Sequence, residues 1–294
     1  MPTSQPIFFL SPYSCFIRGG LLFIYLFFSV ITASAQSEST ERAPFVTTPL
    51  EVVQRMLLLA KTGPGDVVFD LGSGDGRIPI AAATMGARGV GLELDPALVQ
   101  LSQRLALEAG VAQRTEFRVQ DVLQADLSSA SVVTVFLLPS LMSRLMPKLM
   151  TELRPGARVV THAFYFPSWK PDQMEQVAVQ ARHYGVGDSA QIMLWIVPMN
   201  LRGRYLAQDG FGQWQFTVHQ NFQEIEIEGS LNGQPVQFES ARLQGTQVRW
   251  QAEVMRDGQR VTVQFEAEAL AQGGLQGRVL SEKSAQPFFA KRQP

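Results

Sequence analysis

An apolar run in this chain ends at an acid and continues at once into a glycine-rich loop, in the sequence VVFDLGSGDGRI at residues 67–78. A loop between a buried strand and a helix turns backbone N–H groups outward, and glycines let a ligand approach the main chain closely. Gly72, Gly74 and Gly76 follow the spacing G-x-G-x-G. The dinucleotide fingerprint requires G-x-G-x-x-G, so the third glycine is out of place for binding a pyrophosphate.

The acids of this loop indicate the charge of its ligand. Asp70 precedes the glycines and Asp75 lies inside the loop. Two unit charges about 4 Å apart interact by about 4 kcal/mol at an effective dielectric constant near 20, so two carboxylates would repel a phosphate. A cationic ligand reverses the sign of that interaction. S-adenosylmethionine carries an ammonium and a sulfonium and has no phosphate, so it suits the loop.

Two further acids suit the rest of that molecule. A ribose diol needs a hydrogen-bond acceptor at the end of the second strand, roughly 20 residues after the loop, and Glu93 in GVGLELDP occupies that place. An adenine amino group needs an acceptor after the third strand, where Asp121 follows in FRVQDV. Each acid alone could equally cap a strand end. The ordered set predicts a cofactor site formed by Asp70, Gly72, Ser73, Gly74, Glu93 and Asp121.

These motifs resemble a known superfamily. Residues 67–121 resemble the cofactor half of the class I, seven-stranded S-adenosylmethionine-dependent methyltransferases. More narrowly, PFVTTP at 44–49, DLGSGDGRI at 70–78 and VFLLPS at 135–140 resemble a group of protein-lysine methyltransferases. That group modifies the mitochondrial adenine nucleotide translocase and the c subunit of the ATP synthase, and it has bacterial relatives.

The resemblance implies a function and a role for each acid. It implies that Asp70 and the glycines hold the methionine part of the cofactor, that Glu93 holds the ribose hydroxyls and that Asp121 meets the adenine. It also implies methyl transfer to an amine nitrogen, such as that of a lysine in a protein substrate. Those lysine methyltransferases are intracellular and have no counterpart of the region from residue 201 onward, so substrate identity does not carry over.

The elements that would position these residues alternate between strands and helices. This alternation predicts an α/β domain at residues 45–200, with a Rossmann-like seven-stranded methyltransferase sheet covered by helices on both faces. Thr48 is expected to cap the first helix, with Pro49 at its first position. Val132–Leu138 is apolar on consecutive residues, as a central buried strand should be. The other predicted strands are Val67–Asp70, Gly89–Asp95, Thr115–Val119, Arg158–Ala163 and Ile192–Val197, and the later helices are Ile78–Met85, Pro96–Ala109 and Leu141–Leu153.

The pattern changes after Pro198 to short alternating segments separated by glycine turns. This predicts a small all-β domain at 201–294, a meander that forms a sandwich or a barrel. Segments of the form Leu-x-Gly-x-x-Val-x-aromatic begin at Leu231 and Leu243, and Asp257-Gly258 is a hairpin turn signal.

The first 35 residues have the pattern of a secretion signal. Arg18 precedes an apolar run at 21–31 and the small-x-small sequence ASA at 33–35. The run is shorter than the ~20 residues that span a bilayer, so an uncleaved membrane anchor is only the second alternative. A misassigned start codon is the third, and it would leave the protein cytoplasmic. Residues 36–44 read as a polar tether. Cys15 is the only cysteine and would leave with the signal, and we expect export to the periplasm or the exterior.

Methyl transfer from a sulfonium mainly requires a neutral nucleophile in line with the methyl group and the exclusion of water. The sequence Phe136–Ser140, at the exit of the predicted fourth strand, offers an apolar wall that would favour a neutral lysine amine, or it is simply the end of a core strand. The segment THAFYFPSW at 161–169 could line the acceptor pocket, or it could pack in the core or at the domain interface. We assign no catalytic residue from the sequence.

Other classes of function are disfavoured. The 25 basic and 26 acidic residues give a net charge of −1, which attracts no polyanion, so nucleic acid is not an expected partner. His162, His183 and His219 are scattered without cysteines nearby, so we expect no metal site. Two rivals remain: an exported binding protein that keeps a non-catalytic methyltransferase fold, and an aminopropyltransferase. A secretion signal also conflicts with a cytoplasmic cofactor.

Overall fold

The structure is a computed structural model, and it describes residues 45–179, 188–256, 258–282 and 284–294. The predicted signal at 1–35, the tether at 36–44 and Cys15 lie outside the described residues, so export stays a prediction. His183 and Asp257 lie outside them as well. Among the described helices, none combines the length and the apolar character needed to cross a bilayer.

A seven-stranded sheet forms the first half of the described chain, in the order β3-β2-β1-β4-β5-β7-β6. The first five strands pair in parallel, whereas β7 runs antiparallel to both β5 and β6. This confirms the predicted Rossmann-like sheet. The strands are β1 (Val67–Leu71), β2 (Arg88–Glu93), β3 (Thr115–Val119), β4 (Val132–Val135), β5 (Arg158–His162), β6 (Gln173–Ala178) and β7 (Ser189–Ile196).

Helices cover both faces of this sheet. The central strand β4 is buried on consecutive residues, as predicted: Val133 and Val135 pack on the face that α4 covers, and Val132 packs with α1 and α2 on the other. Burial of both faces explains why this strand reads as a continuous apolar run. The helices are α1 (Leu50–Leu59), α2 (Arg77–Thr84), α3 (Pro96–Glu108) and α4 (Pro139–Glu152).

Three local predictions need correction. Thr48 does not cap α1, because the helix begins at Leu50 and no side chain caps its N-terminus. The fourth strand ends at Val135, three residues early, because Pro139 already opens α4 and the intervening residues leave the sheet. Strand β6 was not predicted, since its residues are mostly polar and only partly buried at the sheet edge.

An eight-stranded antiparallel barrel forms the second half, which confirms the barrel alternative of the predicted all-β domain. Neighbouring strands follow the chain order, and the barrel closes where β15 pairs with β8. The strands are β8 (Gly203–Asp209), β9 (Gly212–Asn221), β10 (Glu224–Leu231), β11 (Gln234–Gln244), β12 (Gln247–Arg256), β13 (Gln259–Ala269), β14 (Leu275–Ser281) and β15 (Ser284–Arg292).

Aromatic side chains fill the barrel. Trp250 stacks on Phe265 with ring centroids 4.7 Å apart, and Phe288 meets both rings edge to face. The predicted aromatic ends of the two repeated segments, Phe238 and Trp250, both join this core. Small eight-stranded barrels are filled by their own side chains, and this one follows that rule.

The barrel contacts the sheet at the amino-terminal ends of the parallel strands. The ring of Phe222, in the turn between β9 and β10, stacks on Trp169 at 5.9 Å, and Trp169 Nε1 donates to Gln223 Oε1 at 2.9 Å. A Cβ atom at Gly245, in the turn between β11 and β12, would lie 3.0 Å from the Cα of Gly156, which precedes β5. The glycine loop follows the carboxyl end of β1, so the barrel attaches at the opposite edge, about 17 Å away along a five-residue strand.

Candidate functional site

The glycine loop joins β1 to α2, where the sequence places it. Gly72, Gly74 and Gly76 have φ values of 81°, 53° and 77°. This left-handed region strongly favours glycine, because other residues meet steric strain there. The loop is fixed to the neighbouring strand, since the N–H groups of Gly72 and Ser73 both donate to the carbonyl of Leu92, at 2.9 and 3.0 Å.

Close contacts disfavour a side chain at all three positions. Two of these contacts are with other segments of the chain. A Cβ atom at Gly72 would lie 2.9 Å from Leu137 Cδ2, and one at Gly74 would lie 2.6 Å from the ring of Phe45. The loop therefore lies directly against the segment that follows β4 and against the segment that precedes α1. A ligand at the loop would meet both segments.

Asp70 is buried next to the end of β1. Asp70 is only 4% exposed, and Thr134 Oγ1 donates a hydrogen bond to its Oδ1 at 2.7 Å. Burial raises the pKa of Asp70 to about 7, and the nearby charges of Asp75 and Glu93 act in the same direction. The hydrogen bond from Thr134 favours the charged form of this carboxyl group without offsetting its burial, and a cation bound beside it would stabilise that form further.

Glu93 is the last residue of β2 and binds the glycine loop. Its Oε2 accepts a hydrogen bond from Gly74 N at 2.9 Å, and its Oε1 accepts from Leu94 N at 2.7 Å and Asp95 N at 3.1 Å. A carboxylate has about four acceptor positions, so Glu93 can accept a further hydrogen bond from a ligand hydroxyl. The carboxylate thus links the loop to the second strand.

The two remaining predicted residues lie beside this group. Asp121 follows β3 by two residues, and its Oδ1 accepts from Leu123 N at 2.9 Å, as in an Asx-type turn. Ser73 is buried, and its hydroxyl has no hydrogen-bond partner among the described residues. Strands β1, β2 and β3 are neighbours in the sheet, so their carboxyl ends bring all six predicted residues to one edge.

Asp75 forms an ion pair within the loop. Arg77 Nε donates to its Oδ1 at 2.9 Å, and Arg77 Nη2 donates to its Oδ2 at 2.5 Å. Arg77 Nη1 also donates to the carbonyl of Thr48 at 2.8 Å, which ties the segment before α1 to the loop. The ion pair with Arg77 weakens the repulsion that Asp75 would exert on a phosphate, although its charge still acts on Asp70.

Aromatic residues lie at the carboxyl ends of β4 and β5, on the other side of the loop. The ring of Phe136 lies 4.2 Å from that of His162 and 6.0 Å from that of Phe164. Of the predicted aromatic segment, Phe166 and Trp169 are instead buried core residues. The core interpretation therefore holds for Phe166 and Trp169, and the acceptor-pocket interpretation stays a prediction for the residues at the carboxyl ends of the strands.

The residues present fit S-adenosylmethionine. The buried carboxyl group of Asp70 is suited to a cationic group, Glu93 has acceptor capacity for a diol, and the glycines allow close approach to the main chain. The apolar segment after β4 touches the same loop through Leu137. A methyl acceptor could therefore lie against apolar side chains directly beside the cofactor.

Comparisons with known proteins agree with this geometry. Residues 70–173 match the family model described as the ANTKMT methyltransferase domain. A protein-lysine N-methyltransferase of Saccharolobus islandicus (strain REY15A) is 40% identical over 136 residues, which are 46% of this chain and 84% of that protein. A lysine N-methyltransferase of Xenopus laevis that is named for the ATP synthase c-subunit is 44% identical over 131 residues, 45% of this chain and 56% of that protein.

Among solved structures, an RNA methyltransferase from Salinibacter ruber in complex with S-adenosyl-L-homocysteine is 46% identical, with a TM-score of 0.48. That match covers 53% of this chain and 95% of the other. The chain spans little more than half of the Xenopus protein but most of the Saccharolobus one. It is a methyltransferase whose methyl donor is S-adenosylmethionine, and neither rival function finds support in these comparisons. The chain therefore belongs to the family of the adenine nucleotide translocase and ATP synthase c-subunit lysine methyltransferases and their microbial relatives.

Proposed function

We propose that this protein transfers the methyl group of S-adenosylmethionine to the side-chain amine of a lysine in a protein substrate. The observation that carries the proposal is the apolar segment after β4, which touches the glycine loop where Leu137 packs against Gly72. An amine against such a wall has a lowered pKa, which favours its neutral, nucleophilic form. Two relatives are named as lysine N-methyltransferases, which supports the same acceptor.

We assign the cofactor contacts to the six residues predicted from the sequence. Asp70 would hold the ammonium of the methionine part. That part would lie against the main chain of the loop residues Gly72, Ser73 and Gly74. Glu93 would accept from the ribose hydroxyls, and Asp121 would accept from the adenine amino group. When bound, S-adenosylmethionine supplies an electrophilic methyl group on a sulfonium.

The protein's own residues would contribute alignment and a dry environment. The loop and Glu93 fix the position of the donor, and the apolar segment after β4 excludes water from the path of the nucleophile. In-line transfer forms the N–C bond as the C–S bond breaks, and sulfur keeps the bonding electron pair. The lysine ammonium would release its proton to water before the transfer, and the product is a methylammonium that stays protonated near pH 7.

The acceptor can be identified by labelling. The full chain is incubated with methyl-labelled S-adenosylmethionine and, separately, with a protein extract and with total RNA. We expect label in protein, recovered as methyllysine after acid hydrolysis. Label in RNA without methyllysine would contradict the proposal. A chain that neither binds the donor nor transfers label would instead favour the exported binding protein.

Glu93→Ala should weaken donor binding by roughly 1.5–3 kcal/mol, the range for a hydrogen bond to a charged group. The change also removes the acceptor of Gly74 N, so the loop loses one hydrogen bond to β2 and keeps the two that it donates to the carbonyl of Leu92. Calorimetry with S-adenosylmethionine measures the effect. Glu116→Ala is the matched control, because Glu116 lies on β3 in exposed ion pairs with Arg88 and Arg118. Equal affinities for the wild type and Glu93→Ala would show that the ribose lies elsewhere.

A further inference from the structure

His162 lies on the acceptor side of the sheet. It is the last residue of β5, and β4 separates β5 from β1. The proposed cofactor residues lie at the carboxyl ends of β1, β2 and β3, so they occupy the other side of the same edge. The segment that follows β4 begins with Phe136, whose ring lies 4.2 Å from the imidazole of His162. His162 therefore lies beside the apolar segment against which the proposed methyl acceptor would lie.

One nitrogen of this imidazole is buried without a partner. His162 is 0% exposed, and its Nδ1 lies 3.3 Å from Thr48 Oγ1. Its Nε2 has no hydrogen-bond partner among the described residues. Buried polar atoms are nearly always paired, and an unpaired one in a native fold calls for an explanation. A Phe or Leu here would fill similar space without an unpaired nitrogen.

The backbone directly after His162 is strained. Ala163 has a φ of 64°, although it is not a glycine. Phe164 N donates to the carbonyl of His162 at 2.8 Å, which makes a γ-turn of the rare kind with positive φ. Ala163 N donates to Gln191 O at 2.8 Å and holds the turn against β7. Strain of this kind persists only where the surroundings enforce it, and it is concentrated at functional sites.

Burial also fixes the charge of the imidazole. It lowers the pKa of His162 to about 4, so the ring is neutral near pH 7. With its proton on Nδ1 and donated to Thr48 Oγ1, the ring presents a lone pair at Nε2. A group with so low a pKa is a hydrogen-bond acceptor and is poorly suited to removing a proton from an amine.

We propose that Nε2 of His162 accepts a hydrogen bond from the attacking amine and so aims its lone pair at the methyl group. This proposal rests on the proposed amine acceptor. As the N–C bond forms, positive charge develops on nitrogen and its N–H groups become stronger donors, so this hydrogen bond strengthens during transfer. The proposal requires Phe136 and Phe164, which are only partly buried, to give way to the lysine side chain.

His162→Phe tests the role, because it keeps an aromatic ring beside Phe136 and removes the acceptor. We expect kcat for lysine methylation to fall by about 100-fold, as for removal of one preorganised hydrogen-bond partner. The affinity for S-adenosylmethionine, measured by calorimetry, should stay within about twofold, because none of the assigned cofactor contacts is lost. His162→Gln restores an acceptor and should recover at least about tenfold in kcat.

His219→Phe is the matched control, since His219 is an exposed barrel residue paired with Glu228 at 2.9 Å. Thr48→Val is the alternative test if the His162 variants do not fold. It removes the hydroxyl that lies against His162 Nδ1, so it should lower kcat while leaving donor affinity unchanged. A His162→Phe enzyme with wild-type kcat, or equal losses in folded Phe and Gln variants, would overturn the proposal. If the wild type methylates RNA and no amine, the proposed function fails instead, so the two failures are distinguishable.

Discussion

Asp70→Asn is expected to stabilise the donor-free protein at pH 8 and to abolish tight donor binding. The folded-state pKa of about 7 lies above the ordinary value of 3.8, so the folded protein binds more protons than the unfolded chain between these values. The free energy of unfolding therefore falls as the pH rises through this range, by up to about 4 kcal/mol above pH 7. Asn carries no charge and can still accept from Thr134 Oγ1.

Denaturant unfolding at two pH values measures this effect. The stability gained by Asp70→Asn should be about 4 kcal/mol at pH 8 and less than half of that at pH 5, where the wild-type carboxyl group is protonated. A gain that does not depend on pH would contradict the assigned pKa. The expected pH-dependent gain would also show that the site keeps a buried charge at a cost in stability, as functional sites commonly do.

Donor binding should change in the opposite direction. The cationic groups of S-adenosylmethionine stabilise the Asp70 carboxylate, so wild-type affinity should rise with pH up to about 7, and Asp70→Asn should lose at least about 100-fold. Asp172→Asn is the matched control, because burial also raises the pKa of Asp172 but this acid lies near the opposite edge, where it accepts from Ile196 N. Unchanged affinity in Asp70→Asn would remove Asp70 from the cofactor site.

The cofactor side of the fold could be predicted because its signals are local in sequence. The loop from Gly72 to Gly76 carries its own conformational requirement, and Glu93 follows at the end of the next strand. An apolar run and a turn suffice to place such residues at a sheet edge. The ion pair of Asp75 with Arg77 was not predicted, because Arg77 lies outside the predicted helix and the sequence does not show how the loop turns its side chain.

The acceptor side depends on contacts between distant residues, which no local pattern encodes. Thr48 was expected to cap a helix because it precedes Pro49, yet its hydroxyl lies against His162, 114 residues later. His162 itself is a single histidine in an aromatic segment, and only the folded sheet shows that Phe136 and Thr48 surround it. Its unpaired nitrogen and the φ of Ala163 have no signature in sequence.

The barrel should be separable from the sheet at a cost in stability and without loss of donor binding. The last strand of the sheet ends at Ile196 and the first of the barrel begins at Gly203, so truncation after residue 200 cuts the connection. Phe222, however, packs against the core of the sheet through Trp169, and Gln223 bonds both Trp169 Nε1 and the carbonyl of Lys170. Truncation therefore exposes one face of a buried tryptophan.

Residues 36–200 are accordingly expected to fold with a free energy of unfolding about 2–4 kcal/mol lower than that of residues 36–294. Phe222→Ala in the longer chain should reproduce about 1–3 kcal/mol of this loss. Phe289→Ala is its control, because Phe289 is an exposed barrel residue. Donor affinity should stay within about twofold in all three proteins, since the barrel attaches at the edge opposite the glycine loop.

Thermal unfolding and calorimetry on the same samples separate the roles open to the barrel. Lower stability with unchanged donor affinity and unchanged methylation of a lysine peptide would indicate that the barrel stabilises the protein or takes part in its assembly. Attachment of the barrel at the amino-terminal ends of the strands favours this role. A folded truncation that binds the donor but no longer methylates protein would instead place acceptor recognition on the barrel. An insoluble truncation that the separate barrel rescues would mean that the two halves share one core through Trp169 and Phe222, and the predicted boundary at residue 200 would be wrong.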